Sequence, residues 1–165
     1  LKHIPKGSNI LDLGCGSGRD SLEFIKRGYN ITAVDGSKEL SIAASKIIGQ
    51  EVICNKFEDL QLTEKFHGIW ACASLLHINK RDLINVIKNI SSNLEDNGVF
   101  YMSFKYGKGE YIDEKGRYFN CYTEKTFKEM ILAVPKLEII KIYKSEDTIG
   151  GRNNLQWLNV LLKIN

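Results

Sequence analysis

The stretch Asn9-Ile-Leu-Asp-Leu-Gly-Cys-Gly-Ser-Gly-Arg-Asp20 decides the fold of this chain. Its first part, Ile10–Leu13, is a short and mostly apolar run of the kind that forms a buried parallel strand. Three glycines spaced two apart follow, at Gly14, Gly16 and Gly18. Because glycine has no Cβ, such a turn can adopt left-handed dihedrals and let a ligand approach the main chain. We therefore predict a strand that ends in a ligand-binding turn at the start of a helix.

Two kinds of ligand compete for this turn. In the dinucleotide fingerprint G-x-G-x-x-G the third glycine allows close packing of the helix, but counting from Gly14 puts Arg19 at that position. This substitution weakens the NAD interpretation. Asp12 lies inside the strand, and a carboxylate there suits a ligand with a positive amino group better than it suits a pyrophosphate.

The run from Asp12 to Gly18 resembles motif I of the class I S-adenosylmethionine-dependent methyltransferases, in which an acidic residue and a spacer precede G-x-G-x-G. The resemblance implies S-adenosylmethionine as the cofactor and S-adenosylhomocysteine as its product. It also implies an α/β fold of three layers, with a Rossmann-like seven-stranded sheet between helices on both faces. That sheet would be mostly parallel, with an antiparallel C-terminal strand.

Length and composition limit the class of protein. The chain has 165 residues and a mass of 18.7 kDa, which fits one domain over residues 1–165. Its 43% hydrophobic and 26% charged residues are typical of a globular protein. No apolar run approaches the ~20 residues of a membrane span, and the N-terminus lacks the apolar segment of a signal peptide, so we expect a cytoplasmic protein. Because there is no initiator Met, we also expect a missing N-terminal segment.

The charge and the cysteines argue against several partners. The net charge of +3 comes from basic and acidic residues spread along the chain, without the concentrated basic stripe of a nucleic-acid-binding face. The four cysteines include no C-x-x-C pair, so no metal site is predicted. Ala73–Leu76 lacks the prolines and the aromatic residue that follow this strand in the DNA-methylating members of the family. DNA is therefore not an expected substrate.

Hydrophobic periodicity predicts alternating strands and helices, which imply a parallel sheet with right-handed crossovers. The segment 105–122 is expected to be a long loop at the ligand edge of the sheet. Asn97-Gly98 is expected to be a turn before the fifth strand. The expected helices are 20–27, 38–48, 80–94 and 123–132, and the expected strands after the first are 29–34, 52–54, 69–73, 99–104, 137–143 and 155–164.

Asp35 is predicted to bind the ribose of the cofactor, both from its position in the sequence and from the family resemblance. It ends the second predicted strand, where a carboxylate can accept hydrogen bonds from two ribose hydroxyls. The alternative is an Asx turn or a cap of the next helix, for which Ser37 is the better candidate. Together with the family pattern, this gives a predicted cofactor site of Asp12, Gly14, Cys15 and Gly16 in the loop, Asp35, Gly36 and Ser37 at the ribose, Phe57, Glu58 and Asp59 at the adenine, and Ala73 and Ser74 at the sulfonium.

The substrate side is less sharply defined by the sequence. Leu76-His77-Ile78 resembles a Leu-His run of many small-molecule members, and it makes His77 a candidate general base, with a structural or substrate-shaping role as the alternative. Tyr106, Tyr111 and Arg117 lie in the long predicted loop and are candidate substrate contacts. Packing of this loop onto the domain is the alternative for its aromatic residues.

These features predict methyl transfer to a nucleophilic atom of a small-molecule acceptor. The likeness includes the tellurite-resistance-like group, which suggests a soft thiol or chalcogen acceptor. Three alternatives stay open: a catalytically silent S-adenosylmethionine-binding domain, an RNA methyltransferase and an NAD-dependent oxidoreductase. No membrane partner is expected, and both a monomer and a homodimer are compatible with the sequence.

Overall fold

The structure is a computed structural model, and it describes residues 4–147 and 155–164. Within these two ranges there are four helices, one 3-10 turn at Leu75–His77 and nine strands. The helices are α1 Arg19–Lys26, α2 Lys38–Ile48, α3 Lys80–Ser91 and α4 Glu124–Ile131. The strands are β1 Asn9–Leu13, β2 Asn30–Asp35, β3 Ile53–Cys54, β4 Phe66–Ala71, β5 Leu94–Tyr106, β6 Glu110–Ile112, β7 Tyr118–Tyr122, β8 Leu137–Glu146 and β9 Gln156–Ile164.

Seven of these strands form one continuous sheet in the order β3-β2-β1-β4-β5-β9-β8. The pairs from β3 to β5 are parallel, whereas β9 is antiparallel to both of its neighbours. The predicted sheet, mostly parallel with an antiparallel C-terminal strand, is confirmed. The carboxyl ends of β1, β2 and β4 meet at one edge, where ligands bind in open α/β sheets.

Helices cover both faces of the sheet. Neighbouring residues of each central strand point to opposite sides, so each strand supplies side chains to a core on either face. On β1, Leu11 and Leu13 join the core formed with α3 and α4, while Ile10 joins a second core formed with α1 and α2. The strands between them are buried on both faces, which explains why they read as apolar runs rather than as alternating ones. The predicted three-layer arrangement is therefore confirmed.

The segment 105–122 is not the long loop that we expected. It contains a hairpin, in which β6 pairs antiparallel with β7, and β7 continues the sheet beside the end of β5 through Lys105 and Cys121. Its turn is closed by the Asp113 carboxylate, which accepts hydrogen bonds from the amides of Lys115 and Arg117. The hairpin raises the strand count to nine and places ordered side chains at the ligand edge.

The expected turn at Asn97-Gly98 is a bulge inside β5. Pairing with β4 shifts between Phe66, which faces Leu94, and Gly68, which faces Val99, and Asn97 has a positive φ of 63°. Asparagine tolerates this left-handed conformation, so the strand continues through the irregularity.

Gly98→Ala should destabilise the domain by about 1–3 kcal/mol, because the added carbon must force its way into a packed bulge. A Cβ built there would lie 2.7 Å from the main-chain oxygen of Glu95 and 3.2 Å from that of Phe66. Urea unfolding should show the loss, whereas the control Asn97→Gly, which adds no atoms, should stay within about 1 kcal/mol of the wild type. Equal stability of all three proteins would contradict this account of the bulge.

Candidate active site

The glycine loop after β1 is held by main-chain hydrogen bonds. The amides of Gly14 and Cys15 donate to the Val34 carbonyl at 2.8 and 3.0 Å. Gly14 has a φ of +85°, and a Cβ there would lie only 2.3 Å from the Cβ of Ser74. Gly16 has a φ of +55° and nothing within 4 Å of such a Cβ, so its main chain faces open space. The predicted close approach of a ligand to the backbone is therefore possible at Gly16.

Asp35 at the end of β2 fixes this loop. Its Oδ2 accepts a hydrogen bond from the Gly16 amide at 2.8 Å, and its Oδ1 accepts one from the Ser37 amide at 2.9 Å. The residue is buried, with 8% of its surface exposed. Since a carboxylate offers about four lone-pair sites, two remain for hydroxyl donors of a ligand.

A cleft of about 510 Å³ opens beside Asp35, within the size range of small-molecule sites. We call it the Asp35 cleft. It brings together eight of the twelve predicted cofactor residues and the predicted base His77, along with three residues that the sequence did not indicate. The lining residues are Gly14, Gly16, Asp35, Gly36, Leu40, Lys56, Phe57, Glu58, Ala73, Ser74, His77 and Ile78.

On the other side of the glycine loop lies a second cavity of about 310 Å³, the Asp12 cavity, which also contains the predicted residue Cys15. The Asp12 carboxylate accepts a hydrogen bond from the Ser21 hydroxyl at 2.6 Å, and burial raises its pKa to about 6. Asp20 accepts hydrogen bonds from the Trp70 indole and from Arg19, both at 2.9 Å. The cavity is lined by Asp12, Gly14, Cys15, Gly16, Ser17, Arg19, Asp20, Cys72 and Ala73.

Cys15 is a buried residue beside this cavity. Burial, with smaller contributions from Asp12 and Asp35, raises the pKa of the Cys15 thiol to about 12. The reactive thiolate is therefore almost absent near neutral pH.

A third cavity, of about 300 Å³, lies between the hairpin and β9, and we call it the Phe119 cavity. Arg117, one of the predicted substrate contacts, lines it. Tyr111 lies behind its wall, stacked on Phe119 with ring centroids 5.2 Å apart. Tyr106 lies apart from the three cavities, and its hydroxyl donates to Glu124 at 2.9 Å. The lining residues are Ala73, Leu76, His77, Lys105, Arg117, Phe119, Leu155 and Trp157.

Ala73 is shared by all three cavities. It has a left-handed φ of 51°, which is strained for a residue with a Cβ. Its amide donates to the Ser103 hydroxyl at 2.8 Å, and the neighbouring Ser74 hydroxyl donates to the Leu13 carbonyl at 2.6 Å. These bonds hold the chain after β4 at the point where the three cavities meet.

His77 lines both the Asp35 cleft and the Phe119 cavity. Its Nδ1 lies 2.8 Å from the Tyr118 carbonyl oxygen, and its ring packs against Phe119 at 4.7 Å. Because a carbonyl oxygen can only accept, Nδ1 carries the proton of the neutral ring. No residue that the structure describes forms a hydrogen bond with Nε2, whose lone pair can therefore accept a proton.

Two predicted cofactor residues lie beside the Asp35 cleft without lining it. Ser37 caps α2, since its hydroxyl accepts a hydrogen bond from the Leu40 amide at 3.3 Å. Asp59 is an exposed residue in a turn closed by its amide and the Lys56 carbonyl at 3.2 Å. The sequence analysis missed three residues of the cleft. Leu40 carried a signal for a binding site, because it is an apolar residue on the first turn of α2, and in the structure it stays 41% exposed.

Comparison with known proteins identifies the family of this chain. Residues 10–98, more than half of the chain, match the model of the family described as "Methyltransferase domain". The chain is 30% identical over 113 residues to the Bacillus subtilis protein named "Putative methyltransferase YqeM". The matched region covers 62% of this chain and 46% of the relative. The chain spans about half the length of the curated relatives it matches.

Solved structures show the same fold at low identity. A SAM-dependent methyltransferase from Methanosarcina mazei superposes with a TM-score of 0.85 at 18% identity, over 99% of this chain and 95% of the other. The 1,6-didemethyltoxoflavin-N1-methyltransferase of Burkholderia thailandensis, solved with 1,6-didemethyltoxoflavin and S-adenosylhomocysteine bound, gives 0.79 at 21% identity over 97% and 72%.

The fold is the one found in a solved SAM-dependent methyltransferase, as the resemblance implied. The chain belongs to the methyltransferase domain family. Within the described ranges, none of the helices has the length and apolar character needed to cross a bilayer.

Asp12→Asn should change the pH dependence of folding stability. Burial raises the pKa of Asp12 from its ordinary value of 3.8 to about 6, so between these values the folded state holds a proton that the unfolded state has released. Binding of this proton stabilises the folded wild type in full below about pH 4. This stabilisation, about 3 kcal/mol in all, is lost as the pH rises through 6. Asparagine does not titrate, so the variant has no such loss.

Urea unfolding of both proteins at pH 4 and pH 7.5 measures this effect. We subtract the variant's free energy of unfolding from that of the wild type. This difference should be about 3 kcal/mol lower at pH 7.5 than at pH 4. The same difference at both would contradict the buried, protonated state of Asp12.

Proposed function

We propose that this protein transfers the methyl group of S-adenosylmethionine to a nucleophilic atom of a small molecule bound in the Phe119 cavity. The observation that carries the proposal is the meeting of this cavity with the Asp35 cleft at Ala73 and His77. A cofactor in the cleft and an acceptor in the cavity would therefore approach each other at these two residues. The Burkholderia structure of the same fold holds a small molecule and S-adenosylhomocysteine together, the two kinds of ligand proposed for this chain.

The residues of the Asp35 cleft fit the nucleoside part of the cofactor. Asp35 has two free lone-pair sites for the ribose hydroxyls. Leu40 and Phe57 supply apolar surface for the adenine, and Glu58 supplies an acceptor for its amino group. The lack of a Cβ at Gly14 keeps Ser74 against the loop.

The Asp12 cavity fits the methionine part. Asp12 and Asp20 supply negative charge for the amino group. The N-terminus of α1 has no side-chain cap, so its amides are available to a carboxylate together with Arg19. Ala73 would then lie at the sulfonium, between the two parts of the cofactor.

When bound, S-adenosylmethionine would supply the methyl group, and its sulfur would leave as a neutral thioether. The chain's own residues hold the acceptor in line and keep water out, effects that contribute up to about 7–11 kcal/mol in favourable cases. Ala73 keeps its strained backbone because Ser103 holds its amide, and this fixes the wall between cofactor and acceptor. The free Nε2 of His77 accepts the proton that the acceptor loses.

Asp35→Asn should weaken binding of S-adenosylhomocysteine by about tenfold or more, since an amide replaces a carboxylate that accepts hydrogen bonds on both oxygens. Isothermal titration should give micromolar affinity for the wild type and for the control Asp59→Asn, whose side chain is exposed beside the cleft. Titration with NAD should show no binding. Binding of NAD alone, or unchanged affinity in Asp35→Asn, would contradict the proposed site.

His77→Gln should lower kcat by about 10²–10⁴ while the affinity for S-adenosylhomocysteine stays within about twofold of the wild type. The acceptor for this assay would come from a screen of thiols, hydroxy compounds and amines, with S-adenosylhomocysteine formation as the signal. The matched control is His67→Gln, because His67 is also exposed but lies on β4, where its Nδ1 accepts from the Asn9 amide. An unchanged kcat would exclude His77 as the base.

A further inference from the structure

The Phe119 cavity has an uneven charge, which indicates what kind of acceptor it takes. None of its eight lining residues is acidic, whereas Lys105 and Arg117 have cationic side chains. The Asp12 cavity on the other side of Ala73 contains two carboxylates. The two ends of the site therefore differ in sign.

Lys105 is a cation without a carboxylate partner among the described residues, since no acidic oxygen there lies within 4.0 Å of its ammonium group. Its Nζ lies 3.7 Å from the centroid of the Phe119 ring and donates a hydrogen bond to the Tyr111 hydroxyl at 2.5 Å. These contacts orient the ammonium group without neutralising it. An ammonium group has three donors, so it can still bind an anion.

Arg117 adds a second cation that is only partly used. Its Nε and one Nη contact the same Asp113 oxygen, at 2.8 and 2.6 Å, and this contact lowers the pKa of Asp113. The guanidinium lies 5.4 Å from the Phe119 centroid, on the cavity wall. Because a guanidinium has five N–H donors, several remain for an oxyanion.

The rest of the cavity is apolar and small. Leu76 and Phe119 are buried, and Trp157 closes the side towards β9. A volume of about 300 Å³ suits a small molecule with one ring or a short apolar chain. Burial of such a group against aromatic walls would hold the acceptor while the cations fix its orientation.

We propose that the acceptor is a small organic anion: its carboxylate or phosphate group binds to Lys105 and Arg117, and its apolar part packs on Phe119 and Trp157. The inference rests on the proposed function, because it assigns this cavity to the acceptor. In the transfer, a bond forms between the acceptor's nucleophilic atom and the methyl carbon. The sulfur–methyl bond breaks with its electron pair going to sulfur, and the acceptor's proton goes to Nε2 of His77.

Binding to the protein saturated with S-adenosylhomocysteine tests this inference. The probes are benzoate, phenyl phosphate, the neutral benzamide and the cationic benzylammonium, each titrated by NMR. Benzoate or phenyl phosphate should bind about tenfold or more tightly than benzamide, and benzylammonium should be the weakest. The better of the two anions identifies the type of oxyanion.

Lys105→Gln and Arg117→Gln should each reduce the preference for the anion over benzamide by about tenfold and leave the affinity for S-adenosylhomocysteine unchanged. Arg117 is exposed in the hairpin, so its variant keeps the test valid if Lys105→Gln folds poorly. The control Lys88→Gln removes the same charge from an exposed position on α3 and should keep the full preference.

The outcomes separate the two proposals. Failure of the wild type to bind S-adenosylhomocysteine would count against the proposed function itself. Normal binding of S-adenosylhomocysteine together with equal affinity for benzoate, phenyl phosphate and benzamide, or with no binding of either anion, would overturn only the anionic acceptor.

Discussion

The hydrogen bond from the Gly16 amide to the Asp35 carboxylate is the constraint on which the site depends. It joins the loop after β1 to the end of β2, two adjacent parallel strands whose carboxyl ends meet at one edge of the sheet. The second oxygen of the same carboxylate holds the Ser37 amide at the start of α2. One buried side chain thus fixes the loop, the strand end and the helix start that surround the Asp35 cleft, and a site preorganised in this way binds its ligand without reordering its walls.

The strained conformation of Ala73 extends this constraint to the reacting groups. Its positive φ persists because its amide is bonded to Ser103 and because Ser74 is bonded to the end of β1 and packed against Gly14. The chain after β4 is therefore tied to both neighbouring strands. On one side of this wall the Asp12 cavity is acidic, and on the other the Phe119 cavity is basic. The carboxylates of the Asp12 cavity suit the amino group of the cofactor, and the cations of the Phe119 cavity suit an anionic acceptor.

The sequence was sufficient to predict the parts of the fold that depend on local patterns. Helix α2 has the predicted bounds of 38–48. Helix α4 begins one residue after the predicted start at 123, because Thr123 caps it and forms a capping box with Thr126. The parallel character of the sheet followed from the alternation of elements, and its antiparallel C-terminal strand followed from the resemblance. Most of the predicted cofactor residues meet in one cleft because the strand ends that carry them share one edge of the sheet.

The remainder depends on contacts between residues distant in the sequence. The hairpin of β6 and β7 was expected to be a loop, since its stability comes from the Asp113 turn and the stacking of Tyr111 on Phe119 rather than from a long apolar pattern. Lys105 was not predicted at the site because it lies near the end of β5, and the contacts that orient its ammonium group are with Tyr111 and Phe119 of the hairpin. Lys56 and Ile78 line the cleft through loop conformations that no periodicity predicts.

A crystal structure of the protein with S-adenosylhomocysteine would test the central claim most directly. The account predicts that the ribose hydroxyls bind to Asp35, that the adenine lies between Leu40 and Phe57, and that the sulfur faces Ala73 on the side of His77. The glycine loop should move little, because Asp35 already holds it. A ligand bound elsewhere on the sheet, or a loop that must break the Gly16–Asp35 hydrogen bond to admit it, would contradict the account.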